Sequence, residues 1–159
     1  MQDGFSVSVQ EADFDAGAEI ARLVAGREDI GATASFIGYV RADKVHAAAA
    51  EKVVAMTLEH YPGMTEQALT DIVEAAQGRW PLVAVRVIHR VGRLEPGAQI
   101  VFVAVAAAHR GEAFAACEFI MDYLKTRAPF WKKEETPAGG HWVEARESDD
   151  QATARWAGR

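Results

Sequence analysis

The stretch QIVFVAVAAAHRGEAFAACEFIMDYLKTRAP, residues 99–129, contains the two clearest secondary-structure signals of the chain. Its first nine residues, Gln99–Ala107, are almost all apolar and predict a strand. From about His109 to Arg127, apolar residues recur at the spacing of one helix face, namely Phe114, Cys117, Ile120, Met121 and Leu124. Pro129 cannot continue a helix and stops it. We therefore expect a strand and a long helix joined by a short turn.

The flanking sequence predicts hairpins and further helices. Leu82–Val91 alternates apolar residues and is separated from Gln99 by the turn signal Glu95-Pro96-Gly97, which predicts a hairpin. The other predicted elements are a strand over Phe5–Val9, a helix capped by Asp15 that runs to Val24, a buried strand over Ala32–Val40, a strand over Val53–His60, a helix from Met64 to about Gln77, strands over Phe130–Glu135 and His141–Arg146, and a short helix that carries Trp156. Hairpins mixed with two to three packed helices predict an α+β fold with a mainly antiparallel sheet.

Composition restricts the class of protein. The chain has 159 residues, half of them hydrophobic, and a formal net charge of -6. We expect one domain over residues 1–159, with 150–159 as a flexible or partner-contacting tail. An acidic chain has no general attraction to nucleic acid or to anionic membranes. One cysteine excludes an intrachain disulfide, and the first ten residues lack a signal-peptide pattern, so we expect a cytoplasmic protein.

The chemistry is expected where the positive charge is concentrated. Three of the five lysines lie between residues 125 and 133, in the acid-free run KTRAPFWKK. His109 and Arg110 stand at the predicted start of the long helix, where N–H groups and the helix dipole favour an anion. Arg41 follows an apolar strand. The alternative interpretations are a solvated charged surface and a simple helix cap. Cys117 lies on the apolar stripe and is predicted to be a core thiol, and no histidine spacing predicts a metal site.

Five segments, in order, resemble the large-subunit family of molybdopterin synthases, the MoaE family. They are TLEHYPGM (57–64), VIHRVG (87–92), AHR (108–110), FIMDYLKTRAPFWK (119–132) and WVEAR (142–146), and the resemblance covers about residues 30 to 156. It implies an α/β-hammerhead-like fold. It also implies a sulfurtransferase of molybdenum cofactor biosynthesis that needs no cofactor of its own. The implied substrate is cyclic pyranopterin monophosphate.

The resemblance assigns roles to individual residues and names partners. It implies that Lys125 is the principal catalytic residue and that Lys132 contributes. It further implies that the anionic substrate is held by four residues, Arg41, His109, Arg110 and Arg146. The implied sulfur donor is a small ubiquitin-like subunit that ends in a Gly-Gly thiocarboxylate. The implied assembly is a dimer of large subunits with one small subunit at each end, a heterotetramer.

Three points bear on this interpretation. The loop 42–52 departs from the family pattern, because it carries four consecutive alanines and no asparagine. The chain ends in Trp-Ala-Gly-Arg, so we expect it to accept the donor tail and not to supply one. The competing hypotheses are a non-catalytic scaffold that binds a ubiquitin-like protein or a pterin, and a phosphate-ester hydrolase that uses His109. Retention of both Lys125 and Lys132 favours the enzyme, because binding alone could use arginine.

Overall fold

The computed structural model describes residues 3–43, 52–137, 139–143 and 147–158. In this part of the chain the elements are β1 (Phe5–Gln10), α1 (Ala16–Val24), β2 (Ala32–Tyr39), β3 (Ala55–His60), α2 (Met64–Arg79), β4 (Leu82–Arg90), β5 (Gly92–Leu94), β6 (Gln99–Ala107), α3 (Arg110–Arg127), β7 (Phe130–Thr136), β8 (Gly139–Val143) and α4 (Glu147–Ala154). The α+β class and the predominance of antiparallel pairing are confirmed.

The predicted hairpin forms the centre of the first sheet, whose strand order is β1-β4-β6-β2. β4 and β6 pair antiparallel, with Val85 opposite Val105 and Val87 opposite Val103. β1 adds in parallel to β4, and the short β5 leaves the hairpin to join the second sheet. The apolar character of β6 follows from this central position, because both of its faces are covered by other elements.

Helices cover the two faces of this sheet. Val103 and Val105 of β6 point into the core under α2 and α3, whereas Phe102 and Ala104 face the core under α1. Asp15 caps α1 as predicted, since its Oδ1 accepts from the Ala18 N–H at 3.0 Å. Phe114 departs from the predicted stripe of α3 and faces solvent, and Met64 at the start of α2 is also exposed.

β2 is not the buried strand that its composition predicts. It is an edge strand, paired only with β6, and its Phe36 and Tyr39 side chains are 41% and 52% exposed. An apolar, β-branched run indicates a strand but does not distinguish a central strand from an edge strand. Within the part of the chain that the structure describes, β2 therefore presents an unpaired backbone edge and two exposed rings to its surroundings.

The second sheet has the strand order β5-β3-β7-β8 and two chemically different faces. On its inner face Leu58 of β3 stands opposite Lys132 of β7, and Leu58 packs in a small core with Val91 and Leu94. On its outer face Glu59 stands opposite Trp131. Successive residues of β7 therefore point to opposite sides.

The C-terminal tail packs on the core of its own chain. Trp156, just after α4, is 7% exposed and lies edge-on to Trp80 and Phe119. Its indole N–H donates to Asp122 Oδ2 at 2.7 Å. The large apolar ring is buried with its polar atom hydrogen-bonded, which anchors the described end of the chain at Trp156. No helix in the described ranges is long and apolar enough to cross a membrane.

Candidate functional site

The end of α3 places the first lysine of the basic run. Lys125 lies in the last turn of α3, where the negative end of the helix dipole favours a cation. Ala128 leaves the helix in an extended conformation, and β7 begins two residues later. Thr65 fixes this junction, because its hydroxyl donates to Pro129 O at 3.0 Å and accepts from the Tyr61 N–H at 2.9 Å. The lysines on either side of the junction thus have a defined separation.

His89 lies where these lysines converge. It is 4% exposed, its ring stacks on Phe130 with centroids 3.7 Å apart, and its Nδ1 lies 2.8 Å from Arg90 O. Because that carbonyl can only accept, Nδ1 carries the proton. Burial lowers the pKa of His89 from 6.5 to about 3; the hydrogen bond to Arg90 O opposes this shift, and the charges of Lys125 and Lys132 add to it. The ring is therefore neutral at physiological pH.

Both candidate catalytic lysines lie near enough to His89 to lower its pKa. Lys125 and Lys132 both act on the charge of His89 although they come from different elements, the end of α3 and the inner face of β7. Two primary amines beside one neutral imidazole can bind an anion and move protons. His89, Phe130 and Thr65 support this arrangement, and sequence reasoning missed all three because their partners are distant in the chain.

Arg41 lies at the same end of the first sheet as His89. β2 and β6 run antiparallel with Tyr39 opposite Gln99, and β4 meets β6 there with His89 opposite Val101. Arg41 follows this end of β2 directly. The structure therefore places Arg41 on the side of the molecule that carries the lysines.

Arg41 forms an ion pair with Asp43. Its Nη2 and Nε atoms donate to the Asp43 carboxylate at 2.6 and 3.1 Å. The hydrogen bonds raise the pKa of Arg41 and lower the pKa of Asp43. Both side chains are more than half exposed, so the pair contributes little free energy and an anionic ligand can compete with Asp43.

His109 and Arg110 lie at the opposite end of the molecule. His109 is the N-cap of α3, and Lys125 is in the last turn of this 18-residue helix. At 1.5 Å per residue the two ends are roughly 25 Å apart. The structure therefore does not bring His109 and Arg110 to the lysines within one chain.

Two of the sequence-based expectations concern residues that the structure does not describe. Arg146 lies outside the described residues, as do positions 44–51 of the atypical loop. Cys117 is a buried thiol, as predicted, and burial raises its pKa to about 11. Among the described residues no three His, Cys, Asp or Glu side chains are grouped as metal ligands.

An open groove lies next to the lysine site, on the outer face of the second sheet. It has a volume of about 560 Å³. Its lining residues are Glu59, His60, Tyr61, Pro62, Trp131 and Trp142. His60 lines this groove and is also near enough to His89 to lower the pKa of that residue. The groove and the lysine site are therefore contiguous.

Comparison with known proteins gives consistent matches. The model of the family described as MoaE protein matches residues 9–127. The molybdopterin synthase catalytic subunit of Ralstonia nicotianae is 64% identical over 151 residues, which cover 95% of this chain and 84% of that protein. The solved molybdopterin biosynthesis MoaE protein from Burkholderia ambifaria matches with a TM-score of 0.81 and 55% identity, over 97% of this chain and 99% of that one. A Helicobacter pylori complex of subunits 1 and 2 of molybdopterin-converting factor shares the fold, with a TM-score of 0.68 and 16% identity over 89% of this chain and 91% of that one.

Proposed function

Because this chain belongs to the MoaE family, we propose that it is the catalytic subunit of a molybdopterin synthase. It transfers sulfur from the C-terminal thiocarboxylate of a small ubiquitin-like partner to cyclic pyranopterin monophosphate, and the product is the dithiolene of molybdopterin. The observation that supports this proposal is that Lys125, at the end of α3, and Lys132, on β7, are both near enough to the buried His89 for their charges to lower its pKa. Its single thiol is buried, so sulfur passes from the donor to the substrate without a cysteine relay.

The two lysines serve different parts of this reaction. In each transfer the thiocarboxylate sulfur bonds to a substrate carbon and an oxygen leaves that carbon. Water then cleaves the C–S bond to the partner, which departs as a carboxylate. Lys125 moves the protons of these steps or transiently holds the acyl group of the donor. Lys132, on the inner face of β7, stabilises the oxyanion that develops on the acyl carbon.

A second copy of the chain completes the site. Within one chain His109 and Arg110 are too far from Lys125 to share its ligand. Among the described residues no strand pairs with the outer edge of β2, and Ala32 at its start pairs with Ala107, two residues before His109. If two copies of β2 pair antiparallel about a two-fold axis, the Tyr39 end of one lies beside the Ala32 end of the other. The phosphate of the substrate then lies between Arg41 of one copy and the His109–Arg110 pair of the other.

Reconstitution tests the reaction and its central residue. The purified chain is mixed with the thiocarboxylated partner and cyclic pyranopterin monophosphate, and the dithiolene product is quantified. We expect Lys125→Ala to reduce turnover on the order of 100-fold or more. Lys52→Ala is the matched control, because Lys52 is exposed and precedes β3 at the end opposite His60. Stable complex formation without product from the native chain would refute the enzyme and support a binding scaffold.

Mixing two inactive variants tests the shared site. Lys125→Ala and Arg110→Ala each disable both sites of their own dimer, since each site needs one residue from each copy. In a mixed dimer one of the two sites holds both native residues. Random exchange should therefore restore about a quarter of native activity. No recovery, after subunit exchange has been verified by mass, would show that both residues act within one chain.

We also propose that the enzyme works in the cytoplasm. Cys117 is a reduced thiol with its pKa raised by burial, and nothing in the described chain depends on oxidation. Fractionation of cells that express the chain from its own promoter would check this location.

A further inference from the structure

Within the described residues, His89 is buried with only one of its two ring nitrogens hydrogen-bonded. The buried polar side chains of this part of the chain are Thr65, His89 and Thr136, and only the histidine can carry a positive charge. The two hydroxyls donate to backbone carbonyls, Pro129 O and Gly139 O. The imidazole uses Nδ1 in the same way, whereas no hydrogen bond from a described residue reaches Nε2. Buried polar atoms normally have a partner, so we expect Nε2 to accept one.

The backbone determines which nitrogen is available. Nδ1 lies 2.8 Å from Arg90 O, which can only accept, so the proton is on Nδ1 and Nε2 carries a lone pair. The peptide of that carbonyl is itself held, because its Val91 N–H donates to Gln10 O at 2.9 Å. Phe130 covers one face of the ring, with centroids 3.7 Å apart and 17° between the planes. A hydrogen bond and a stacked ring thus fix both the tautomer and the plane of the imidazole.

The last turn of α3 lies near this ring. His89 follows Val85 and Val87 on the face of β4 that packs under α2 and α3. Phe130, which stacks on the imidazole, is only three residues beyond the end of α3. Lys125 lies in that last turn, and its amine is carried on a flexible four-carbon stem. A primary amine from α3 is therefore within reach of Nε2.

The charges around His89 favour Lys125 as the donor. Burial is the main reason that the pKa of His89 is lowered to about 3, and of the charges that add to this shift Lys125 has the largest effect, ahead of Lys132 and His60. The ring is therefore neutral, and no carboxylate of a described residue is among the groups that shift its pKa. An ammonium beside apolar rings and other cations needs an acceptor. A carboxylate would cancel the positive charge that an anionic substrate requires, whereas a neutral imidazole accepts the hydrogen bond and leaves that charge intact.

We propose that His89 is a positioning residue of the transfer reaction, whose Nε2 accepts a hydrogen bond from the Lys125 ammonium and holds this lysine, protonated, at the substrate. The inference rests on the proposed function and adds what orients its principal catalytic residue. In this state Lys125 has a proton to give to the oxygen that leaves the substrate carbon. The resulting amine keeps its place, because its remaining N–H groups can still donate to Nε2. His89 itself exchanges no proton during the reaction.

The test measures how strongly each lysine holds its proton. The full chain is labelled with a trace of acetic anhydride over a range of pH, and acetylation of each lysine is read by mass spectrometry. His89→Phe keeps a ring against Phe130 but has no acceptor. The pKa of Lys125 should therefore fall by about one unit, and its labelling at neutral pH should rise roughly tenfold. Lys133, which lies over the Trp142 ring on the other face of β7, is the internal control and should not change.

Two further variants separate the acceptor from the shape of the ring. His89→Gln places a carbonyl oxygen near the position of Nε2 and should restore most of the native Lys125 labelling and kcat, whereas His89→Asn retains only the group that bonds Arg90 O and should restore neither. In the Phe and Asn variants kcat should fall roughly tenfold or more, while the KM for the pterin stays within about threefold because its phosphate is held by other residues. Thr136→Val removes a buried hydroxyl at the far end of β7, so it controls for lost stability and should leave labelling and kcat unchanged.

The outcomes distinguish this role from a structural one. Unchanged Lys125 labelling in His89→Phe would overturn the proposal, as would a change at Lys132 in place of Lys125. An equal change at Lys133 would also overturn it, because that result would show a general loosening of the chain. Absence of product from the native chain would instead refute the proposed function, because the labelling needs no turnover.

Discussion

The neutral state of His89 predicts a specific loss of stability on mild acidification. The ring has a pKa of about 3 in the folded chain, against 6.5 when exposed. Between these values the unfolded chain binds a proton that the folded chain excludes, so the free energy of unfolding decreases as pH falls. The contribution of His89 is therefore fully present above about pH 6.5 and is lost progressively toward pH 3.

The magnitude follows from the two pKa values. The cost is about 1.4 kcal/mol per pH unit once the unfolded histidine is protonated. From about pH 7 to about pH 5, His89 alone should therefore lower the free energy of unfolding by about 2 kcal/mol. The carboxyl groups of Asp13 and Asp43 have pKa values below the usual 3.8, so their contributions are lost mainly below this pH range.

Urea unfolding at the two pH values measures the effect when the native chain is compared with a variant that cannot titrate. His89→Asn retains a donor for Arg90 O, and His89→Phe retains a ring against Phe130. Both should be less stable at neutral pH, but each should lose about 2 kcal/mol less than the native chain on acidification. Protein concentration is held constant, because dimer stability depends on it. If the native chain and both variants lose the same free energy of unfolding on acidification, the inference that His89 is buried and neutral would be refuted.

Three further changes test other parts of the structure. Asp43→Asn removes the carboxylate that pairs with Arg41, so Arg41 is available to the substrate phosphate. The KM for the phosphate-bearing substrate should therefore fall roughly twofold to fivefold in steady-state assays. Thr65→Val removes both hydrogen bonds at the junction before β7 and should cost about 2 kcal/mol in urea unfolding and lower kcat, whereas Thr70→Val, which loses one bond within α2, should leave kcat unchanged. Gly31→Ala would press a methyl group onto the carbonyl oxygen just before α3 and should cost about 1–3 kcal/mol in thermal unfolding, whereas Gly111→Ala has open space and should be neutral or stabilising.

Much of the fold was predictable because its central elements have long, consistent patterns. β6 and α3 were both found from residues 99–129 alone, and the turn at Glu95-Pro96-Gly97 correctly predicted the β4–β6 pairing. The exposure of β2 was not predictable, because sheet order depends on contacts between distant segments. The last strand was predicted to begin at His141, but β8 begins at Gly139. Gly139 and Gly140 pair with Thr136 and Glu135 of β7, so they belong to the strand and not only to the turn before it.

The site was predictable in part for a similar reason. Lys125 and Lys132 lie in one dense run of charge, and in the fold the charges of both lower the pKa of His89. The arginines and His109 came from separate motifs, and order along the chain did not reveal that α3 holds His109 and Lys125 at opposite ends. His89 itself is one histidine in an apolar strand. Its importance arises only when Phe130, from a distant segment of the chain, stacks on it.

The alternation of β7 has a consequence for how this segment can change through evolution. Lys132 and Lys133 are chemically almost the same, yet one faces the site beside His89 and the other faces Trp142. A substitution in β7 changes only the face of the strand to which that side chain points. Insertion or deletion of a single residue would instead exchange the two faces, so that the side chain of Trp131 would point toward His89 and that of Lys132 toward solvent. Natural variation in this segment should therefore be found in the identity of its residues and not in their number.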